Sequence, residues 1–400
     1  MELDSRQTII VAILVLFLGK YLNNKIKVLR EYNIPEPVTG GLVASLFFGL
    51  LFLLFNVNMV FDNRYRDILL ILFFTSIGLS TELKSILKGG KLLLILTVLA
   101  IGYIFLQNYA SIFLSGIFGL NPSTGVIAGS AALQGGHGNI VSWAPVISEK
   151  FGVTNVMEIG MIMATFGLII GGVVGGPVAK FLIKKYKLKP GNDVEKDKIT
   201  IGAKYGQNPE IDYNSALKVV FLLFISVGLG IYLHNFLDYL NFTLPMFATC
   251  MLGGVIVINI VPFIVPKLSC PSKSPTLALT SELTLGLFLA MAMMSLKFWE
   301  IGNESLFILA NIFVQTILIL LFTVFVVFKF LGKNYTAAVI SAGYIGSAMG
   351  ATPTAMANMA AVTKEYGPSP VAFAVIPIMG AFIIQVSNAF VINIILFWIG

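Results

Sequence analysis

The 400-residue chain is 57% hydrophobic and only 11% charged, with a net charge of +7 and a mean hydropathy of +0.91. Soluble domains carry about 25% charged residues, so the composition excludes an ordinary soluble protein and predicts an all-α, polytopic membrane protein. The net positive charge alone would suit nucleic-acid binding, but the position of the basic residues points to the membrane and to no nucleic-acid partner.

Ten apolar runs have about the 20-residue length that a helix needs to cross the hydrocarbon core. The predicted spans are residues 8–23, 36–55, 67–82, 92–114, 157–182, 215–236, 243–264, 281–298, 305–328 and 371–398. A polar, lysine-rich segment follows the fifth span. We therefore expect a first half at residues 1–185, a linker at 186–213 and a second half at 214–400.

The basic residues predict how the spans are oriented. If the N-terminus lies outside, 21 of the 26 lysines and arginines fall on the cytoplasmic side, whereas the opposite topology reverses that ratio. The five basic residues left outside are Arg6, Arg64, Arg66, Lys150 and Lys297. The positive-inside rule therefore predicts that both termini lie outside and that the central linker is cytoplasmic.

The second half repeats the layout of the first. An offset of 215 residues sets residues 135–139 against 350–354, and Phe151-Gly152 against Tyr366-Gly367. Because each half has five spans, an odd number, the second copy must lie upside-down relative to the first. Broken segments at matching positions of inverted repeats are the best sequence indication of a transporter's binding site.

Both copies are interrupted by a polar, glycine-rich stretch between two apolar runs, at residues 128–138 and 343–354. Such backbone is tolerated at membrane depth only where it lines a cavity or is buried in protein. We expect each to form a re-entrant hairpin or broken helix, at about 124–152 and 336–367. Two helix N-termini could then face an anion, and freed carbonyl groups could coordinate Na⁺.

Several segments resemble one known family. They are PVTGGL and SIGLS in the first half, QGGHGN, SWAPVISEKFGVTNVMEIG and ATFGLIIGGVVGGPVAKFLI around the first interruption, and GATPTAMANMAAVTKEYGPSPVAFAVIPIMGAFI at the second. With these segments the chain closely resembles the bacterial sodium/glutamate symporters over nearly its whole length. One departure is Asn139, where related sequences commonly have threonine after the histidine.

The resemblance implies a homodimeric protein of the bacterial inner membrane that moves L-glutamate inward with Na⁺. Each half would contribute one re-entrant hairpin to a moving transport domain, and the remaining spans would form a scaffold and the dimer contact. No cofactor is expected beyond Na⁺ as coupling ion, and the protein is expected not to be an enzyme.

The predicted substrate site lies at the two interruptions. Its residues are Gln134, Gly135, Gly136, His137, Gly138, Asn139, Gly350, Ala351, Thr352, Pro353, Thr354 and Asn358. The glycines would let the backbone approach a ligand or adopt positive φ. His137 would donate to a substrate carboxylate or fix the hairpin tip; an ordinary buried histidine bonded to freed backbone is the alternative.

Candidate sodium ligands are hydroxyl and amide oxygens within the spans and at the second interruption. They are Thr75, Ser76, Ser295, Thr352, Thr354, Gln385, Ser387 and Asn388. Intramembrane polar residues are either functional or join helices, and the sequence leaves both roles open for the last three. Glycines at 171, 172, 175 and 176 have the spacing of a helix-packing stripe instead.

Other functions remain open at this point. A symporter for another small carboxylate, such as aspartate or citrate, coupled to Na⁺ or H⁺, is the nearest alternative, and a channel is a second. An intramembrane enzyme is disfavoured because the sequence has no HExxH, GxSxG or clustered Cys/His motif, and no Walker A sequence for an ATP-driven pump.

Overall fold

The computed structural model describes residues 2–27, 29, 34–57, 59–82, 90–190, 213–239, 244–264, 274–297 and 304–400. These residues are almost entirely helical. One short parallel contact pairs β1 (Glu2–Leu3) with β2 (Val60–Phe61). Most of the predicted linker, residues 191–212, lies outside the described residues, so its expected course is not addressed by the structure.

The first half supplies seven of the described helices. They are α1 (Ser5–Lys25), α2 (Glu36–Phe55), α3 (Arg64–Leu79), α4 (Gly90–Ile117), α5 (Pro122–Val126 continuing through the π-helical turn Ile127–Ala131), α6 (Gly136–Phe151) and α7 (Val156–Tyr186). The second half supplies the matching series. Its helices are α8 (Tyr213–Tyr239), α9 (Met246–Ile264), α10 (Pro275–Met294), α11 (Glu304–Phe330), α12 (Tyr335–Met349), α13 (Thr352–Tyr366) and α14 (Pro370–Ile399).

A helix occupies each of the ten predicted spans. Within the described residues, eight helices are long and apolar enough to cross a membrane. The other two predicted spans correspond to the shorter α3 and α9. The chain is therefore an all-helical, multi-pass membrane protein.

The helices divide into two compact units that cut across the two halves. Unit 1 contains α1, α2 and α3 with α8, α9 and α10, which are the first three helices of each half. Unit 2 contains α4 to α7 with α11 to α14. Each unit thus contains helices from both the first and the second half of the chain.

Within unit 1, glycines bring the helix backbones together at matching places. A Cβ on Gly40 of α2 would lie 2.0 Å from the Val15 carbonyl oxygen of α1, and one on Gly253 of α9 would lie 2.4 Å from the Ser226 carbonyl oxygen of α8. The packing between helices of different halves has the same pattern. The second helix of each half packs against the third helix of the other, since α2 packs against α10 and α9 packs against α3. Small residues allow this approach in a membrane, where lipid gives little hydrophobic drive for helix association.

Within unit 2, α7 packs along α12 and α13. A Cβ on Gly167 would lie 2.4 Å from the Met349 carbonyl oxygen, and one on Gly175 would lie 2.2 Å from the Asn358 amide nitrogen. Gly171 also lies close to Met349, which supports the packing interpretation of this stripe, whereas Gly176 has no neighbour within 4 Å. This glycine face holds the end of α12 against α7.

Candidate functional site

Two interruptions of helical structure, here named the first and second break, lie inside unit 2. The first break, Gln134–Gly135, precedes α6, and the second break, Gly350–Ala351, separates α12 from α13. Gly136 begins α6 with φ +71°, the left-handed conformation that glycine adopts readily. Gly135 has φ −76°, and Gly138 lies within α6. Of the three glycines expected to adopt positive φ or to admit a ligand, Gly136 therefore has the positive φ.

The helices that begin at the two breaks lack side-chain caps. Neither Gly135 at the start of α6 nor Ala351 at the start of α13 accepts a backbone hydrogen bond with its side chain. The helices that lead into the breaks are capped, α5 by Asn121 and α12 by Asn334. Free N–H groups and the positive end of the helix dipole therefore remain at both breaks, which is an arrangement that attracts anions.

The breaks approach each other closely. A Cβ on Gly136 would lie 3.9 Å from the carbonyl oxygen of Gly350. Gln107 of α4 bridges the two, because its Oε1 accepts from Nε2 of Gln134 at 2.9 Å and its Nε2 donates to the Ala348 carbonyl oxygen at 3.3 Å. The structure thus brings residues of both predicted interruptions close together.

A buried network, the Ser130 network, holds the approach to the first break and comprises Asn108, Ser130 and Asn388. Asn108 donates to Ser130 Oγ at 2.7 Å, Ser130 Oγ donates to Asn388 Oδ1 at 2.5 Å, and Asn388 Nδ2 donates to the Ser130 carbonyl oxygen at 3.0 Å. The same carbonyl accepts from the N–H groups of Gln134 and Gly135. All three network side chains are fully buried. Asn388, a candidate sodium ligand, therefore joins helices here.

His137 and Asn139 lie in the first turn of α6, and each makes a hydrogen bond to a side chain of another helix. Because the Thr165 hydroxyl is placed to donate to the Met161 carbonyl oxygen at 2.8 Å, we assign the ring proton of His137 to Nε2, which then donates to that hydroxyl at 3.1 Å. This tautomer leaves Nδ1 as an acceptor. Asn139 Nδ2 donates to Gln385 Oε1 at 2.8 Å, which links a predicted substrate residue to a predicted sodium ligand.

Some hydroxyl groups at the second break make no hydrogen bond. Thr354 Oγ1 and Ser347 Oγ are buried and have no hydrogen-bond partner. Asn358, one turn further along α13, donates to the carbonyl oxygens of Gly171 and Ala342, so it fixes the helix pair. Thr352 is half-buried and Pro353 is exposed, while Gly350 is buried.

Three candidate sodium ligands lie in unit 1 rather than unit 2. Thr75 and Ser295 donate to carbonyl oxygens one turn earlier, of Ile71 and Met291. Ser76 contacts the Ser281 hydroxyl at 2.6 Å, which joins α3 to α10. The other candidates, including half-buried Ser387 on α14, belong to unit 2.

Sequence reasoning missed several polar residues of the site. Gln107, Asn108, Ser130, Thr165, Asn311 and Gln315 were not among the candidates. Four of them are amide side chains in the middle of the apolar helices α4 and α11, and an intramembrane amide is itself a signal that could have identified them. Ser130 and Thr165 carry no such signal, since a helical hydroxyl can bond to its own backbone.

In the part of the chain that the structure describes, no three His, Cys, Asp or Glu side chains come together. A cation bound here would rely on hydroxyl, amide and carbonyl oxygens, which hard cations prefer.

Comparison with known proteins gives a consistent result. The family described as sodium/glutamate symporter matches residues 1–368. The chain is 38% identical to the sodium/glutamate symporter of Escherichia coli over 98% of its own length and 97% of that protein. It is 36% identical to the Haemophilus influenzae sodium/glutamate symporter over 97% and 96% of the two chains. The chain therefore belongs to the sodium/glutamate symporter family.

Proposed function

We propose that the protein is a secondary active transporter that moves L-glutamate together with Na⁺, and that the substrate binds at the two breaks of unit 2. The observation that supports this most strongly is the pair of uncapped helix N-termini at breaks that approach within a few ångströms. Family membership supports the same substrate and ion, and indicates a transporter rather than an enzyme.

The charge of the site favours an anion held without a basic side chain. No lysine or arginine occurs between residues 92 and 149, 151 and 179, or 334 and 363, the stretches that contain both breaks. The substrate carboxylates would be bound by N–H groups and side chains of residues 134–139 and 350–354, with Asn358 supporting the second set. Co-bound Na⁺ would neutralise the remaining charge.

Charge movement gives this coupling its driving force. A glutamate of charge −1 that moves with two Na⁺ carries one net positive charge inward. At a potential of 100 mV this contributes about 2.3 kcal/mol, or roughly fifty-fold accumulation before the Na⁺ gradient is counted.

The matching helix bounds support an inverted repeat with re-entrant segments. At the 215-residue offset the C-termini of α6 and α13 coincide, and their N-termini differ by one residue. The exchanged packing in unit 1 follows the same symmetry. We assign the inverted repeats to residues 1–185 and 214–400, with both termini outside the bacterial inner membrane and the linker 186–213 in the cytoplasm.

We further propose that unit 2 is the moving domain of an alternating-access mechanism and that unit 1 is the scaffold of a homodimer. Unit 1 exposes large apolar side chains such as Phe17, Phe47 and Phe224, a surface that lipid or a second copy can cover. Light scattering of the purified protein would give its oligomeric state, and thiol labelling of cysteines introduced at the termini would give their orientation.

Uptake of radiolabelled L-glutamate into proteoliposomes tests the main proposal. We expect concentrative uptake that requires external Na⁺ and increases with an inside-negative potential. Equal uptake with choline in place of Na⁺ would refute sodium coupling. Competition by aspartate or citrate better than by glutamate would indicate the other carboxylate class, and uptake that never exceeds equilibrium would indicate a channel.

A further inference from the structure

The second break exposes the negative end of a helix as well as the positive end of another. Helix α12 ends at Gly350 with φ −153° and ψ −105°, which differs from the left-handed conformation that commonly caps a helix C-terminus. In the described residues, no backbone hydrogen bond runs from Gly350 or Ala351 back to α12. Carbonyl oxygens of its last turn therefore accept no such backbone bond; that of Ala348 accepts from Gln107, and that of Met349 lies against Gly167.

Two hydroxyl groups converge beside this carbonyl end. A Cβ placed on Gly380 of α14 would lie 2.8 Å from Thr352 Oγ1 and 3.1 Å from Ser347 Oγ. Ser347 is 2% exposed, and its hydroxyl has no partner. Ser341 on the same helix instead donates to the Ala337 carbonyl oxygen, which is the usual bond of a helical serine.

The first break does not offer the same oxygens. There the Ala132 N–H bonds to the carbonyl oxygens of Gly129 and Ile127, and the Ser130 carbonyl oxygen accepts three hydrogen bonds. The residue equivalent to Gly380 at the 215-residue offset is Thr165, whose hydroxyl lies 3.1 Å from His137 Nε2. Beside the breaks, the buried hydroxyls without a partner are those of Ser347 and Thr354 at the second break, whereas the oxygen without a partner at the first break is the side-chain amide Oε1 of Gln134.

We propose that the coupling Na⁺ binds at the second break between Ser347 Oγ, Thr352 Oγ1 and the terminal carbonyl oxygens of α12, in space that the absence of a side chain at Gly380 keeps open. This assignment rests on the proposed sodium-coupled function and narrows its candidate ligands. The negative end of α12 favours a cation, while the positive end of α13 favours the substrate anion across the same break.

Sodium binding without glutamate tests the assignment separately from transport. Purified wild-type protein and the variants Ser347→Ala, Thr352→Val, Thr352→Ser and Gly380→Ala would be compared by equilibrium binding of ²²Na⁺ and by Na⁺-induced thermal stabilisation. Gly176→Ala is the matched control, because its added Cβ meets nothing within 4 Å. Melting in choline reports whether each variant is folded.

We expect Ser347→Ala, Thr352→Val and Gly380→Ala to weaken Na⁺ binding by about tenfold or more, since each removes or blocks an interaction with a charged ion. Thr352→Ser should retain most of the affinity, and Gly176→Ala all of it. Wild-type Na⁺ affinity in both Ser347→Ala and Thr352→Val would overturn the assignment. So would a loss of glutamate affinity with unchanged ²²Na⁺ binding, which would give these oxygens to the substrate. Absence of Na⁺ binding by the wild type would instead refute the proposed function itself.

Discussion

The two breaks of unit 2 differ in how their polar groups are used. At the first break, the Ser130 network and the bonds of His137 and Asn139 engage those side chains, and Gln134 donates to Gln107 while its own Oε1 has no partner. At the second break, Ser347 and Thr354 are buried with unpaired hydroxyls. Because a buried unpaired polar group costs about 1–3 kcal/mol, the second break keeps an unfavourable arrangement that a ligand can relieve. The first break is preorganised, and the second is left open.

Asn388→Leu should have the largest effect on stability, because it breaks the Ser130 network at the first break. It removes two hydrogen bonds and leaves the buried Ser130 hydroxyl without an acceptor, so we expect a loss of about 3 kcal/mol. Thermal unfolding in detergent can be followed with a thiol dye at Cys250, a buried free cysteine. Phe397→Leu, on the exposed face of the same helix, should unfold like wild type. A stable, active Asn388→Leu would show that the first break is not held in this way.

Gly135→Ala should come next, at about 2 kcal/mol. Its Cβ would lie 2.6 Å from the Ala131 carbonyl oxygen and 2.0 Å from Asn139 Nδ2, which would displace Asn139 from Gln385. Gly136 has open space but positive φ, so Asn, which tolerates that conformation, should be accepted at 136 and rejected at 135. Unfolding curves of Gly135→Asn and Gly136→Asn provide the comparison, and equal destabilisation of both would contradict it.

Thr354→Val should separate stability from transport at the second break. Removing an unpaired buried hydroxyl should leave the protein as stable as wild type or more stable by about 1 kcal/mol. Glutamate uptake should nevertheless fall by about tenfold if the hydroxyl binds a ligand. Thr354→Ser should retain uptake. Normal uptake by the valine variant would mean that this hydroxyl is not part of the site.

The His137–Thr165 bond should give the smallest effect. A double-mutant cycle with His137→Gln and Thr165→Val should show a coupling of about 0.5–1 kcal/mol in apparent glutamate affinity, the usual net value of one hydrogen bond. Apparent KM values for glutamate uptake at saturating Na⁺ would be measured for the wild type, the two single variants and the double variant. Additive single effects would mean that His137 does not act through its bond to Thr165.

The spans and the breaks could be predicted from sequence because both depend on local properties. Apolar runs define the ten spans, and Gly136, Gly350 and Pro353 interrupt the helical pattern where the chain turns. The residues beside the breaks could be named for the same reason.

The partners of those residues could not be predicted, because they are distant in sequence. Ser130 bonds to Asn388, and Asn311 of α11 donates to the Ala128 carbonyl oxygen at 3.0 Å. The division into units that mix both halves also depends on such contacts. An offset of 215 residues aligns His137 with Thr352 and Thr165 with Gly380, but it gives no indication that one pair is bonded and the other leaves space.

The Ser130 network also has a consequence for biosynthesis. Ser130 and Asn388 are 258 residues apart, and a ribosome that adds about 5–20 residues per second needs roughly 10–50 s to make the second after the first. During that interval the nascent chain holds α5 in the membrane with a key amide partner still untranslated. The insertion machinery must therefore protect an incomplete helix bundle until the last helix has been synthesised. Truncation of that helix should leave a product that quality-control proteases degrade.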